Sequence, residues 1–202
     1  MKIIKPLTIL LFLFTVTNVR SQEKPFKAGD VIIGPCMGMG GIMDVHFYSK
    51  MTPLYGIALD VALPIQMDSG FWGLGFIAGI RSVEDYHIYP ISTPSHRYYY
   101  DRKWDYTSIA TRITYRIDLL GVPDLDTYVG GIFSYNLVKI TWEDNLYTDP
   151  KQFGYPYPLD FKSFYKLGIM LGARYDIIKQ LGIFTEVSVG ITNITFGIAA
   201  KL

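Results

Sequence analysis

"GIFTEVSVGITNITFGIAAKL", residues 182–202, alternates apolar residues with polar or small ones almost without a break. At about 3.3 Å per residue it is too long for one ordinary strand. Ile183, Val187, Val189 and Ile191 share one parity with Thr185. The phase then flips, and Ile194, Phe196, Ile198, Ala200 and Leu202 share the other. A two-residue turn at Thr192-Asn193 reconciles the two sets by pairing Ile191 with Ile194, which puts both on one face of a hairpin. Thr-Asn is weaker turn chemistry than Asn-Gly, so the turn is placed to within a residue or two. What the apolar face looks at has to come from the rest of the chain.

The same period of two recurs upstream. Val31, Ile33, Met37 and Met39 alternate with Ile32, Gly34, Cys36 and Gly38. Tyr55 to Ile65 alternates with Gly56, Ala58, Asp60, Ala62 and Pro64. Trp72 to Ile80 alternates with Gly73, Gly75, Ile77, Gly79 and Arg81. Ile109 to Leu119 is set against Ser108, Ala110, Arg112, Thr114, Arg116 and Asp118, and Tyr165 to Ile177 against Lys166, Gly168, Met170, Gly172, Arg174 and Asp176. The run from Tyr128 to Trp142 is less regular. Val129, Phe133, Tyr135 and Leu137 give way to Val138, Ile140 and Trp142, as if a bulge shifted the phase. With the closing hairpin this makes eight strands and no helical periodicity of useful length: an all-β chain. The connections alternate. Long ones are expected at 43–52, 83–103 and 143–162, and short ones near 66–70, 120–126 and 179–180. Only the last connection, inside the closing hairpin, breaks the alternation by being short.

Residues 1–21 read as a secretory signal peptide. Lys2 and Lys5 precede the ten-residue apolar run "LTILLFLFTV", which is too short to span a bilayer as a helix, and Val19 and Ser21 suit cleavage before Gln22. The exported domain is then 22–202. A formal net charge of +1 gives no electrostatic case for nucleic acid, and the single Cys36 precludes an internal disulfide. Half of the residues are hydrophobic, and there are 16 Tyr and 12 Phe. An exported chain this apolar, without helical spans, calls for an explanation.

The alternatives are a soluble barrel with its apolar face inward and a membrane barrel with that face outward. Three features favour the membrane. The polar face is rich in glycine where a solvated sheet would carry Thr, Lys and Glu. Its charges nearly cancel: Arg81, Arg112, Arg116, Lys166 and Arg174 against Asp60, Asp118, Asp176 and Glu186, as a lumen network of paired side chains requires. Apolar-face aromatics fall near strand ends, with Trp72, Tyr115, Tyr128 and Tyr175 at one rim and Tyr55, Trp142 and Tyr165 at the other. These are two girdles flanking an aliphatic band. Short turns on one side and long loops on the other complete an eight-stranded antiparallel up-and-down transmembrane β-barrel, whose closure leaves no free edge.

In signal segment, strand number and glycine- and arginine-bearing lumen positions, the chain resembles the small outer-membrane β-barrels of Gram-negative bacteria, the OmpA-type and OmpX-type proteins. The resemblance rests on pattern across the whole exported domain. It implies residence in the cell outer membrane, contact with outer-membrane lipid, and insertion by the barrel-insertion machinery. Such proteins usually end on Phe, whereas this chain ends on Leu202.

An eight-stranded barrel is just wide enough for its own side chains, so open diffusion is not expected and the lumen charges read as a plug. No catalytic set stands out. His46, His87 and His96 fall in expected loops at spacings that fit no metal motif. "GLGFIA", 73–78, alternates as a strand and is no dinucleotide loop, and "GPCMGMGG" lacks the Lys of a phosphate loop. No cofactor and no metal are expected. The segments 83–103 and 143–162 are dense in Tyr, Pro, Asp and Lys, and suit an extracellular partner. The expected function is therefore non-enzymatic: a monomer with a structural or surface-binding role through its loops. Two readings stay open beside it: an outer-membrane lipid-modifying enzyme, and a soluble calycin-like barrel that holds an apolar small molecule.

Overall fold

The computed structural model describes residues 26–41, 49–67, 70–88, 99–117, 119–144 and 163–202, the side chains of Gln66, Met67, His87, Tyr100, Trp142 and Asp144 excepted. The strands are β1 (Val31–Met39), β2 (Lys50–Met51), β3 (Leu54–Met67), β4 (Gly70–Ile88), β5 (Tyr99–Ile117), β6 (Leu125–Asp144), β7 (Phe164–Ile178), β8 (Leu181–Val189) and β9 (Ile194–Lys201). The two-residue β2 continues the line of β3, pairing with β4 beyond an interruption at Thr52-Pro53. Each of the other strands pairs antiparallel with its sequence neighbour, and β1 pairs with β9, so eight staves close into a barrel.

The register fixes its dimensions. Stepping from Asp126 through Arg174, Phe184, Gly197, Cys36, Gly56, Gly79 and Ser108 leads back to β6 at Asn136, ten residues further up the strand. With eight strands, that stagger tilts them by about 41° and gives a backbone radius of about 8 Å. Each residue then climbs about 2.5 Å along the barrel axis, so a 25 Å apolar band needs about ten residues per strand. β8, β9 and β1, at 9, 8 and 9 residues, come to about 20–23 Å, just short of it. β4, β5 and β6, at 19, 19 and 20, are twice that. The start of β1, the end of β9 and the connections β3–β4, β5–β6 and β7–β8 lie at one rim, so the surplus rises from the opposite rim, over one side of the barrel only.

The outer face is apolar all the way round. Ile57, Ile80, Ile109, Ile113 and Val187 are exposed, and Leu167 and Ile169 keep 77% and 71% of their surface open. A soluble monomer exposes apolar patches of roughly 300–600 Å² at most. A continuous belt of this kind has lipid as its solvent, and the fold is that of a transmembrane β-barrel, with the charges inside.

Four details differ from the sequence expectation. The closing hairpin turns over residues 190–193, with Val187 opposite Ile194. Ser188 N–H donates to the Asn193 carbonyl and Ser188 Oγ to the Thr192 carbonyl, so the wider loop needs no left-handed pair at Thr-Asn, and Ile191 tucks inward. No bulge shifts β6. It pairs with β5 without a break from Thr127 to Asp144, and Val138 and Ile140 lie on the inner face, against Val83 and Trp104. An irregularity lies instead in β3 between Ala62 and Gln66, around Pro64, which has no N–H to give a ladder. Finally, most of the expected loop 83–103 is strand: β4 runs to Ile88 and β5 begins at Tyr99.

Candidate functional site: a layered lumen

The inward-facing side chains stack in five layers. At the turn-side end, Phe26 folds beneath the barrel, ahead of β1. Its ring lies 5.6 Å from that of Phe71 and 4.0 Å from the Arg116 guanidinium, and it is almost wholly buried. Backbone bonds hold the segment there: Gly29 N–H donates to the Ala62 carbonyl, and Ala62 N–H to that of Asp30. Asp30 also pairs with Lys201 at 3.1 Å.

Above Phe26 comes the charged layer. Arg112 grips Asp60 with two guanidinium nitrogens, Nε at 2.9 Å and Nη2, and reaches Glu186 Oε1 with Nη1 at 2.5 Å. Tyr128 Oη donates to the same Glu186 oxygen at 2.6 Å. Arg116 pairs with Asp126, stands 3.5 Å from Asp60, and is sandwiched between the rings of Phe26 and Tyr128. Arg174 stands 2.5 Å from Asp176. All of these groups are buried. Their charges nearly balance, which is what makes their removal from water tolerable.

Glycines make room for this layer. A Cβ on Gly75 would strike Asp60 and Arg112, one on Gly172 the Tyr128 ring, and one on Gly182 Asp176. The glycine-rich polar face is therefore the mould into which the arginines and tyrosines of neighbouring strands lie down.

Next comes an apolar septum of Leu54, Ile77, Ile132, Met170 and Ile191. Above it sits a small polar chamber walled by Arg81, Tyr106, Ser108, Asn136 and Lys166. Its lid is a second apolar cluster, in which fully buried Val83 and nearly buried Trp104 pack with Met51, Val138, Ile140 and Phe164. The surplus halves of β4–β6 build most of the lid, above the lipid belt, joined by Met51 of β2 and Phe164 of β7.

Of the lumen residues expected from sequence, Asp60, Arg112, Arg116 and Glu186 meet in one cluster and Arg174 meets Asp176. Arg81 and Lys166 lie apart from them in the upper chamber, and Asp118 lies outside the described residues. Sequence reasoning did not single out Asp126, Tyr128 or Phe26 for the interior. Asp126 does share the parity of Ile132, which was a usable signal.

Of the expected girdle, Trp72 and Tyr115 pair across β4–β5 with rings 5.2 Å apart, and Tyr175 is exposed at the same rim. Tyr55 and Tyr165 face outward near the other, and Tyr165 stacks on Tyr135 and Phe133. From Trp72 to Ile80, the partner of Tyr55, β4 climbs roughly 20 Å. Tyr128 is not a girdle residue. Its register position opposite Arg116 turns it inward, where its hydroxyl finds Glu186. Trp142 pairs with Arg102 in register, and its side chain lies outside the described ones. Of the histidines, His46 and His96 lie outside the described residues and His87 lies within β4. Among the described residues no cluster of His, Cys, Asp and Glu could hold a metal ion.

No family model matches the chain, and no curated protein sequence matches it. Solved structures that resemble it include Ail, the attachment invasion locus protein of Yersinia pestis, in complex with the heparin analogue sucrose octasulfate. That likeness has 11% identity over 87% of this chain and 96% of the other, with a TM-score of 0.41. The outer membrane protein OprG of Pseudomonas aeruginosa matches at 15% identity over 86% and 90%, with a TM-score of 0.43. Scores this low do not bear on function, and the architecture stands on the strand pairing itself.

Proposed function

We propose that this chain is an integral outer-membrane protein whose barrel is a closed anchor and whose work is done at its raised rim, by binding rather than catalysis. In this reading residues 1–21 are the export signal, the barrel inserts as a monomer, and the loop-side rim faces the cell exterior. The observation that carries it is the asymmetry of the strands. β4–β6 rise about 20 Å beyond what the lipid belt needs, over a lumen blocked by Phe26, the ion cluster and the septum. A channel has no use for such a blockage, and a plain anchor none for the surplus sheet.

The tyrosine- and proline-rich connections that leave this sheet, at 89–98 and 145–162, would carry the partner contacts. Both lie outside the described residues.

The test compares cells that express the full chain with cells in which a short Gly-Ser linker replaces 145–162. Adhesion to protein-coated surfaces should fall with the linker, while unboiled gel mobility still reports a folded barrel. Planar bilayers holding the full chain should show no conductance steps. Equal adhesion of the two strains would contradict the binding rim, and regular conductance steps the closed lumen. A change in the mass of the surrounding lipid on expression would favour a lipid-modifying enzyme instead.

A further inference from the structure

Arg81 is 6% exposed, and its guanidinium is only partly satisfied. Nη1 donates to the Gly40 carbonyl at 2.7 Å and touches Met51 Sδ at 4.0 Å, while Nε and Nη2 find no partner. The Gly40 carbonyl is held over the lumen by a turn that only glycines adopt readily, with φ of 66° at Gly40 and 118° at Gly41. So the guanidinium is fixed at one corner, and among the described residues no carboxylate pairs with the others. The carboxylates of the charged layer are engaged below the septum. Above it, inward-facing Asp85 lies across the ladder from Arg102.

Arg81 forms one wall of the upper chamber, and Lys166 forms another. Among the described residues, two cations and no carboxylate line it. The chamber's volume is about 20 Å³, where a site for one water needs roughly 10–15 Å³. One water or one halide fits, and a phosphate or sulfate does not. Ser108 Oγ donates to Asn136 Oδ1 at 2.6 Å, which turns the Asn136 amide nitrogen away from that bond. One N–H of Nδ2 goes to Ser134 Oγ at 3.3 Å, and the second remains to be given. A water would offer two lone pairs to this wall but no charge. Burying a guanidinium without a counter-ion is among the costliest arrangements in a folded chain.

We propose that the upper chamber is a buried halide site, in which one chloride-sized anion sits between Arg81 and Lys166 with the Asn136 amide as a neutral donor. The ion ties β4, β6 and β7 together just under the lid. It supplies a counter-charge to the Arg81 nitrogens that find no partner. The site is independent of the partner proposed for the rim.

The test uses the full folded chain in detergent micelles. Crystals grown in sodium bromide should show an anomalous peak in the chamber beside Arg81. At constant ionic strength, replacing sulfate by bromide should raise the unfolding midpoint along a saturating single-site curve. Arg81→Gln should abolish that dependence. Should Arg81→Gln not fold, Lys166→Gln should weaken the apparent bromide affinity by about tenfold or more. A chamber without an anomalous peak overturns the proposal. So does a midpoint equal in bromide and sulfate, or a bromide response that both substitutions leave intact.

Discussion

Replacing Arg112 by leucine removes the centre of the charged layer. Arg112 supplies two bonds to Asp60 and one to Glu186, with its side chain 1% exposed. Afterwards Asp60 keeps only Arg116, at 3.5 Å, and Glu186 keeps only the Tyr128 hydroxyl. Leaving buried carboxylates without their partner costs about 3–5 kcal/mol. The folded-to-unfolded ratio should therefore fall by roughly two to three and a half orders of magnitude. With an m-value of about 2 kcal/mol/M, the urea midpoint should drop by about 2 M. The assay is unfolding in detergent micelles, read by tryptophan fluorescence and by the folded band on unboiled gels. A second variant separates charge from packing. Arg112→Leu combined with Asp60→Asn and Glu186→Gln removes the uncompensated charges and should recover at least half of the loss. A single variant that loses under about 1 kcal/mol would mean that these groups are solvated. A triple variant no more stable than the single one would place the loss in packing, and the paired-plug account would fail.

Gly75→Ala should cost about 1–3 kcal/mol, because its methyl group collides with the Asp60–Arg112 pair. Gly131→Ala, whose Cβ would meet nothing closer than the Gly168 carbonyl at 4.0 Å, should stay within about 0.5 kcal/mol; paired urea titrations compare them. Ile169→Arg, in mid-belt, should cost about 2–4 kcal/mol in lipid vesicles, and a gain in solubility without detergent would argue for a soluble barrel. Phe26→Ala should cost about 3–5 kcal/mol by emptying the space beneath Arg116 and Phe71, yet leave bilayer conductance at zero, since the ion cluster and septum above it remain.

The alternation of residues within the belt was legible because lipid demands an apolar side chain at every outward position. That is why β1, β3, β7 and the body of β4 and β5 present the faces the sequence indicates. Above the belt the outer face meets water, with Lys103, Lys139 and Glu143 outward, while the inner face carries Val138 and Ile140. The parity rule reverses there. Read with the belt's rule, the upper half of β6 looks like a bulge, and the strand halves of 83–103 look like loop. Tyr128 could not be sorted by position, since an aromatic near a strand end fits a girdle as well as a lumen. Glu186 decides it, 58 residues away in sequence. Phe26 had no periodic signal at all, because it precedes the first strand and is placed by Gly29 and Asp30. For the ion cluster, sequence could supply the members and their near balance, but not the partners. Those depend on the stagger of ten, which is a property of the closed sheet.

The central claim is that the apolar face looks at lipid and the charges look inward. Depth-resolved fluorescence quenching by lipids brominated at mid-chain tests it most directly. Trp72, Trp104 and Trp142 would be replaced by phenylalanine, and a single tryptophan placed by Ile169→Trp or, separately, by Ile132→Trp. The barrel described here predicts strong quenching at position 169 and little at 132. The reverse order, or no quenching at either position, would contradict it.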